Sequence, residues 1–179
     1  QPNLDSQDIK QRITYRQPKE LVGLDAQQEL VFQRVKDAYL GEVTPEDIIK
    51  HTQDNYVDDL KSILYIFNTK KKVKEFYDLL NTELGHLYKI VYLTTNMYAK
   101  HRLKVINDVK QELSDGVPII VVSTNLVEAG VDFDFDVVYR DIASISSLIQ
   151  ARGRCNRNGN KEIGEFNLFD IRDKGLSYL

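Results

Sequence analysis

Five short runs rich in β-branched and aromatic residues punctuate the chain from Ser62 onward: "SILYIF" (62–67), "KIVYLT" (89–94), "PIIVVST" (118–124), "DVVYR" (136–140) and "EFNLFD" (165–170). Nearly continuous apolar runs of this length suit strands buried on both faces. Between them lie stretches of helical spacing. "TKKKVKEFYDLLNTEL" places Val73, Phe76, Tyr77 and Leu80 on one face before Gly85, and "AKHRLKVINDVKQEL" is closed by "SDG". "NLVEAG" reads as a short helix or turn, and "SSLIQARGRC" as a helix between the last two strands. Strands alternating with amphipathic helices predict one α/β domain, a doubly wound, mainly parallel sheet with helices on both faces.

The first sixty residues are less regular. "RITYR" (12–16) alternates like an edge strand, and "DAQQELVFQRVKDAYLG" (25–41) reads as a capped amphipathic helix ending in Gly41. Thr44 followed by Pro45 predicts a helix start. Residues 1–179 are expected to form a single domain, a piece of a longer protein, with 1–60 its less certain part. No apolar run reaches the length of a membrane span, and the first residues lack a signal-peptide layout. A lone cysteine, Cys155, allows no internal disulfide, which fits a reducing cytoplasm.

The net charge of −3 argues against a generally basic nucleic-acid coat. It leaves room for a local basic site, because steering depends on where charges sit. Ligands of open α/β sheets gather at the carboxyl ends of the strands. Four polar segments fall there: Asn68-Thr69-Lys70, Thr94-Thr95-Asn96, Ser123-Thr124-Asn125, and Asp141. Their amides and hydroxyls suit phosphate contacts, although each could simply cap the following helix.

"SLIQARGRCNRNG" (147–159) concentrates Arg152, Arg154 and Arg157 within six residues. If 148–157 is helical, Gln150, Arg154 and Arg157 form one stripe and Arg152 points away from it. Two guanidiniums on one face make a fork for a polyphosphate, and Gly153 would let a neighbour approach closely. Asp132, Asp134 and Asp136 alternate with phenylalanines, but no histidine joins them, and solvent or a hydroxyl partner is enough to satisfy them. No metal site is expected there. Cys155 lies between arginines without a catalytic partner and reads as structural or incidental.

Taken in order, "ILYIFNTKKKVKEFYDLL", "VYLTTNMYAKHRLKVINDVKQEL", "STNLVEAGVDFD" and "LIQARGRCNRNG" resemble motif IV, the segment after it, and motifs V and VI of superfamily 2 helicases. The wording is most similar to the CRISPR-associated helicase-nuclease of type I systems, from about Ser62 to Phe169. The resemblance implies a RecA-like (P-loop NTPase-like) fold, the second motor domain of a helicase core. It implies arginine fingers at Arg154 and Arg157, with Gln150 at the polar opening position of motif VI. It further implies ATP contacts at Asp132, aided by Gly130, and nucleic-acid backbone contacts at Thr69, Lys70 and Thr124, with Thr95 and Arg102 as weaker carry-overs. Ala151 departs from the many relatives that carry Arg there, and Arg152 is given no finger role.

No GxxxxGK loop, Asp-Glu dipeptide or His-Asp pair occurs in the sequence. The groups that cradle ATP phosphates and Mg²⁺ are therefore expected on the first RecA-like domain, and the nuclease on another domain of the same protein. This domain alone is expected to be inactive. The other expected partners are single-stranded DNA and the CRISPR RNA-guided surveillance complex. An RNA helicase or restriction-type translocase of the same superfamily, or a non-catalytic α/β interaction module, stand as alternatives.

Overall fold

The computed structural model describes residues 34–159 and 163–171. Six strands form a sheet in the order β1-β6-β5-β2-β4-β3: β1 (Val35–Val43), β2 (Ile63–Ile66), β3 (Lys89–Leu93), β4 (Ile119–Ser123), β5 (Val137–Asp141) and β6 (Gly164–Ile171). Every pairing is parallel. Four helices complete the described fold: α1 (Pro45–Asn55), α2 (Lys70–Leu84), α3 (Ala99–Ser114) and α4 (Ile145–Arg152), with a 3-10 turn at Asn125–Val127.

All residues of β2, β4 and β5 are buried, and successive side chains enter opposite layers. Ile63, Tyr65 and Phe67 join Ile48 and Ile49 of α1 and Val73, Phe76, Leu80 and Leu84 of α2. Leu64 and Ile66 join Ile106 and Val109 of α3 and Leu148 and Ala151 of α4. Helices therefore cover both faces, as the apolar runs predict. The edge strand β3 keeps only Leu93 fully inside.

Local chemistry sets the helix starts. The Asp47 N–H donates to Thr44 Oγ1 at 3.2 Å and the Thr44 N–H to Asp47 Oδ2 at 2.9 Å, a capping box with Pro45 behind it. Thr69 caps α2 by accepting from the Lys72 N–H, and Gly85 ends that helix.

Two expectations are corrected. The helix expected over 25–41 is, in its described part, the strand β1. The segment pairs with β6, and the register slips between Tyr39 and Glu42, where Gly41 adopts φ +77°. A partner more than a hundred residues away outweighs local helical spacing. The strand expected at 12–16 lies outside the described residues. The second correction concerns the arginine segment. α4 stops at Arg152, with Gly153 as its cap, so Arg154 and Arg157 are not on a helix and share no stripe with Gln150. Backbone pairing is the reason: the Phe135 N–H donates to the Arg154 carbonyl and the Asn156 N–H to the Phe135 carbonyl, both at 2.9 Å. That bridge between Phe135 and Cys155 draws the chain out of the helix.

Among the described residues, no helix is long and apolar enough to cross a membrane.

Candidate functional site

α4 begins at the carboxyl edge of the sheet and runs away from it. The loop beyond its far end (153–159) packs against the segment 127–136, and three arginines take three different positions there. Arg152 is buried against the first strand, with Nε donating to Asp37 Oδ1 at 2.8 Å and Nη2 to Asp37 Oδ2 at 3.3 Å and to the Val35 carbonyl at 3.2 Å. It is a structural strap between β1 and the end of α4.

Arg154 is also buried, 9% exposed. Its Nε donates to the Val127 carbonyl at 3.0 Å and its Nη2 to the Glu128 carbonyl at 2.7 Å. Burial first, and then the neighbouring Arg157 charge, push its pKa down, against the pull of Asp132 and Glu128. Arg157 is different: its side chain is 43% exposed, and Nε lies 3.0 Å from Asp132 Oδ1. The two arginines expected to be fingers lie on one loop, but they are not equivalent. One is anchored to main-chain carbonyls and the other, among the described residues, is held by a single exposed acid.

Gly130, which precedes this acid by two residues, adopts φ +72°, a conformation that favours glycine. A side chain there would meet open space, so backbone shape sets the requirement. Gln150 is exposed on α4. Gly153 lies against its own helix, because a side chain there would meet the Gln150 and Ile149 carbonyls. Cys155 is buried, its Sγ 3.4 Å from the Glu165 carbonyl, and Gly164 leaves it the space. Its role is packing.

Each acid of the 132–136 stretch has a partner of its own. Asp132 holds Arg157, Asp134 accepts main-chain N–H groups from the arginine loop, and Asp136 accepts from the Ser62 hydroxyl and N–H at 2.9 and 2.8 Å. Among the described residues, no group of three His, Cys, Asp or Glu side chains is placed to hold a metal ion.

At the carboxyl edge, β2, β3 and β4 deliver Thr69 and Lys70, Thr95, and Thr124. Lys70 Nζ donates to Asn96 Oδ1, joining the first two loops. Beside them is an open groove of about 340 Å³ lined by Lys70, Val73, Lys74, Tyr92, Thr94, Asn96 and Met97. Thr95 is exposed and Arg102, in the first turn of α3, is half-buried. Thr124 is buried, and its Oγ1 finds no hydrogen-bond partner among the described residues. The first turns of α2 and α3 contain no acid; instead they bring Lys70, Lys71, Lys72, Lys100, His101 and Arg102. Cations at helix N-termini oppose the macrodipole, and here two helix starts on one edge carry them without a compensating acid.

Sequence reasoning missed the polar links under this edge. Arg140 at the end of β5 is 1% exposed; its Nε donates to Glu128 Oε1 at 2.6 Å and its Nη1 to Asn68 Oδ1 at 2.8 Å. Lys72 Nζ lies 3.5 Å from Asp141 Oδ2. Burial raises the Asp141 pKa, with Lys72 and Arg140 opposing it. The available signal was a charged pair, Arg140-Asp141, closing an apolar strand.

A family model for the C-terminal part of the CRISPR-associated nuclease/helicase Cas3 matches residues 59–160, more than half of the chain. The chain belongs to the Cas3 family. A Cas3 of Haloferax volcanii is 41% identical over 71 residues, covering 38% of this chain and 8% of the relative. A Cas3 of Methanothermobacter thermautotrophicus is 33% identical over 98 residues, covering 55% and 11%. The chain thus spans about a tenth of the length of these curated Cas3 relatives. The T. fusca Cas3–ATP crystal structure superposes with a TM-score of 0.68 at 18% identity, over 82% of this chain and 19% of that one. Domain 2 of the DEAD-box helicase Mss116p, bound to an RNA duplex, gives 0.58 at 19% identity over 76% and 54%. The fold is that of the second RecA-like helicase domain.

Proposed function

We propose that this chain is the second motor domain of an ATP-dependent single-stranded DNA helicase or translocase acting in CRISPR interference in the cytoplasm. The observation that carries this reading is the half-exposed Arg157 beside the buried Arg154, on a loop that motif V residues hold in place. A guanidinium whose one side-chain partner among the described residues is an exposed acid can exchange it for a phosphate, which offers more charge and bidentate geometry. Arg157 would reach the γ-phosphate of ATP cradled by the first RecA-like domain. Arg154, with two of its nitrogens on carbonyls, would add positive charge from beneath. Asp132, once released, would take the ribose hydroxyl.

ATP is used with Mg²⁺, which supplies charge neutralisation at the phosphates when bound. Asp132, Asp134 and Asp136 each have a partner within this domain, and the metal's ligands would lie on the partner domain. The carboxyl edge would carry the DNA backbone through Thr69, Lys70, Thr95, Arg102 and Thr124, a sequence-independent grip. The nuclease domain of the full-length protein and the RNA-guided surveillance complex are the further partners.

The test uses the full-length enzyme. Arg157→Ala should lower ATP turnover by about a thousandfold or more while leaving affinity for an oligo-dT strand within about twofold. Turnover at the wild-type rate sinks the finger reading. Stimulation by single-stranded RNA equal to that by DNA would reassign the substrate.

A further inference from the structure

The arginine loop contains a residue in an uncommon backbone conformation. Asn156, between Arg154 and Arg157, has φ +45°, the left-handed region that asparagine tolerates better than most residues. The residue is 1% exposed, and its Nδ2 donates to the Arg34 carbonyl at 3.1 Å. The chain therefore reverses just before Arg157, and something must hold that reversal.

The Gly159 N–H closes it by donating to the Asn156 carbonyl at 3.1 Å, and the side chain that engages it is that of Asp134. Its Oδ1 accepts from the Arg157 N–H at 2.9 Å and its Oδ2 from the Asn158 N–H at 3.2 Å. One oxygen per amide fixes the two peptide planes that flank the Arg157 α-carbon. Asp134 is itself immobilised from both sides, because Phe133 and Phe135 are fully buried. Phe135 also makes both main-chain hydrogen bonds to the arginine loop. The carboxylate is thus fixed to the core at one end and to the backbone of the proposed finger at the other.

Asp132 does a different job, since it touches the guanidinium and is 68% exposed in its side chain. Asp134 grips main chain, so its hold does not depend on where the Arg157 side chain goes. Charge-assisted bonds from carboxylate to N–H groups are about twice as strong as neutral ones. Transition-state stabilisation by a guanidinium requires its placement to well within an ångström.

We propose that Asp134 is the positioning residue of Arg157: its carboxylate holds the turn that presents this guanidinium to the γ-phosphate. The proposal rests on the finger reading of Arg157, and its test separates the two. In the full-length enzyme, Asp134→Ala should lower kcat for ATP by about 10- to 100-fold, with KM for ATP and affinity for oligo-dT within about twofold. Asp134→Asn keeps one acceptor for the Arg157 N–H and should restore part of the lost kcat; it also carries the test if the alanine variant does not fold. Wild-type kcat in both variants overturns the proposal. So does a kcat loss matched by an equal loss of oligo-dT affinity, because Asp134 would then support the fold at large. Arg157→Ala is run in parallel. If it retains turnover, the finger reading itself fails; if it is inactive while both Asp134 variants turn over normally, only the positioning role fails.

Discussion

Glu128 faces Arg140 with its side chain and Arg154 with its main chain: Oε1 accepts from Arg140 Nε at 2.6 Å and the carbonyl from Arg154 Nη2 at 2.7 Å. One residue thereby ties the end of β5 to the arginine loop. Both charged side chains of the Arg140–Glu128 pair are at most 4% exposed. Removing one partner would leave the other buried without a counter-charge. Arg140→Met should therefore destabilise the protein by about 3–5 kcal/mol, read as a shift in the denaturant midpoint. The double change Arg140→Met with Glu128→Gln should recover a measurable part of that loss. If the double variant is no better than the single one, the ion pair is not the source of the effect.

Arg152 straps β1 to the end of α4 through Asp37 and the Val35 carbonyl. Burial raises the Asp37 pKa against the pull of Arg152, so this carboxylate depends on its partner to stay charged. Arg152→Ala should speed amide hydrogen exchange in β1, which is paired on one side by β6, while β2 and β4 stay protected. Uniform loss of protection across the sheet would show the strap to be global.

Thr124 has a buried hydroxyl with no partner among the described residues. An unsatisfied buried hydroxyl costs about 1–3 kcal/mol, so Thr124→Val, nearly the same shape, should leave melting temperature unchanged or raise it. Under the proposed function, the same variant should bind oligo-dT several-fold more weakly. A stability loss with unchanged DNA affinity would make Thr124 a structural residue.

His51 Nδ1 lies 2.7 Å from the Tyr139 hydroxyl, and burial lowers its pKa below 6.5, with Glu165 and Asp54 pulling the other way. A base with a lowered folded-state pKa takes up its proton more readily when the chain unfolds, so acid favours the unfolded state. The contribution of neutral His51 is present above pH 6.5 and is lost as pH falls below that value. Melting temperature should drop between about pH 7.5 and about pH 5.5, and drop less in His51→Gln. Identical slopes would exclude His51 as the cause.

The central strands were legible because residues such as Ile63, Leu64, Val121 and Val138 are buried on both faces of a parallel sheet, which leaves an unbroken apolar run. Thr44 and Pro45 announced α1 for an equally local reason. The errors share the opposite cause. Val35–Val43 is a strand because of residues 164–171, and the arginine segment leaves its helix because Phe135 claims its backbone. Helical spacing and the motif VI resemblance both pointed to Arg154 and Arg157, but the helix that the spacing assumed ends at Arg152. Their separation into an anchored and an exposed arginine depends on two carbonyls and one carboxylate that no periodicity reveals.

The parallel pairing of β1 with β6 also bears on synthesis. Val35 finds its partner at Gly164, so β1 leaves the ribosome long before the strand that receives it. Non-local pairings of this kind form late and slowly. Until Ile171 emerges, the nascent chain must keep β1 waiting, and Asp37 and Arg152 remain apart. The strap on the arginine loop can close only once the rest of the sheet has been made.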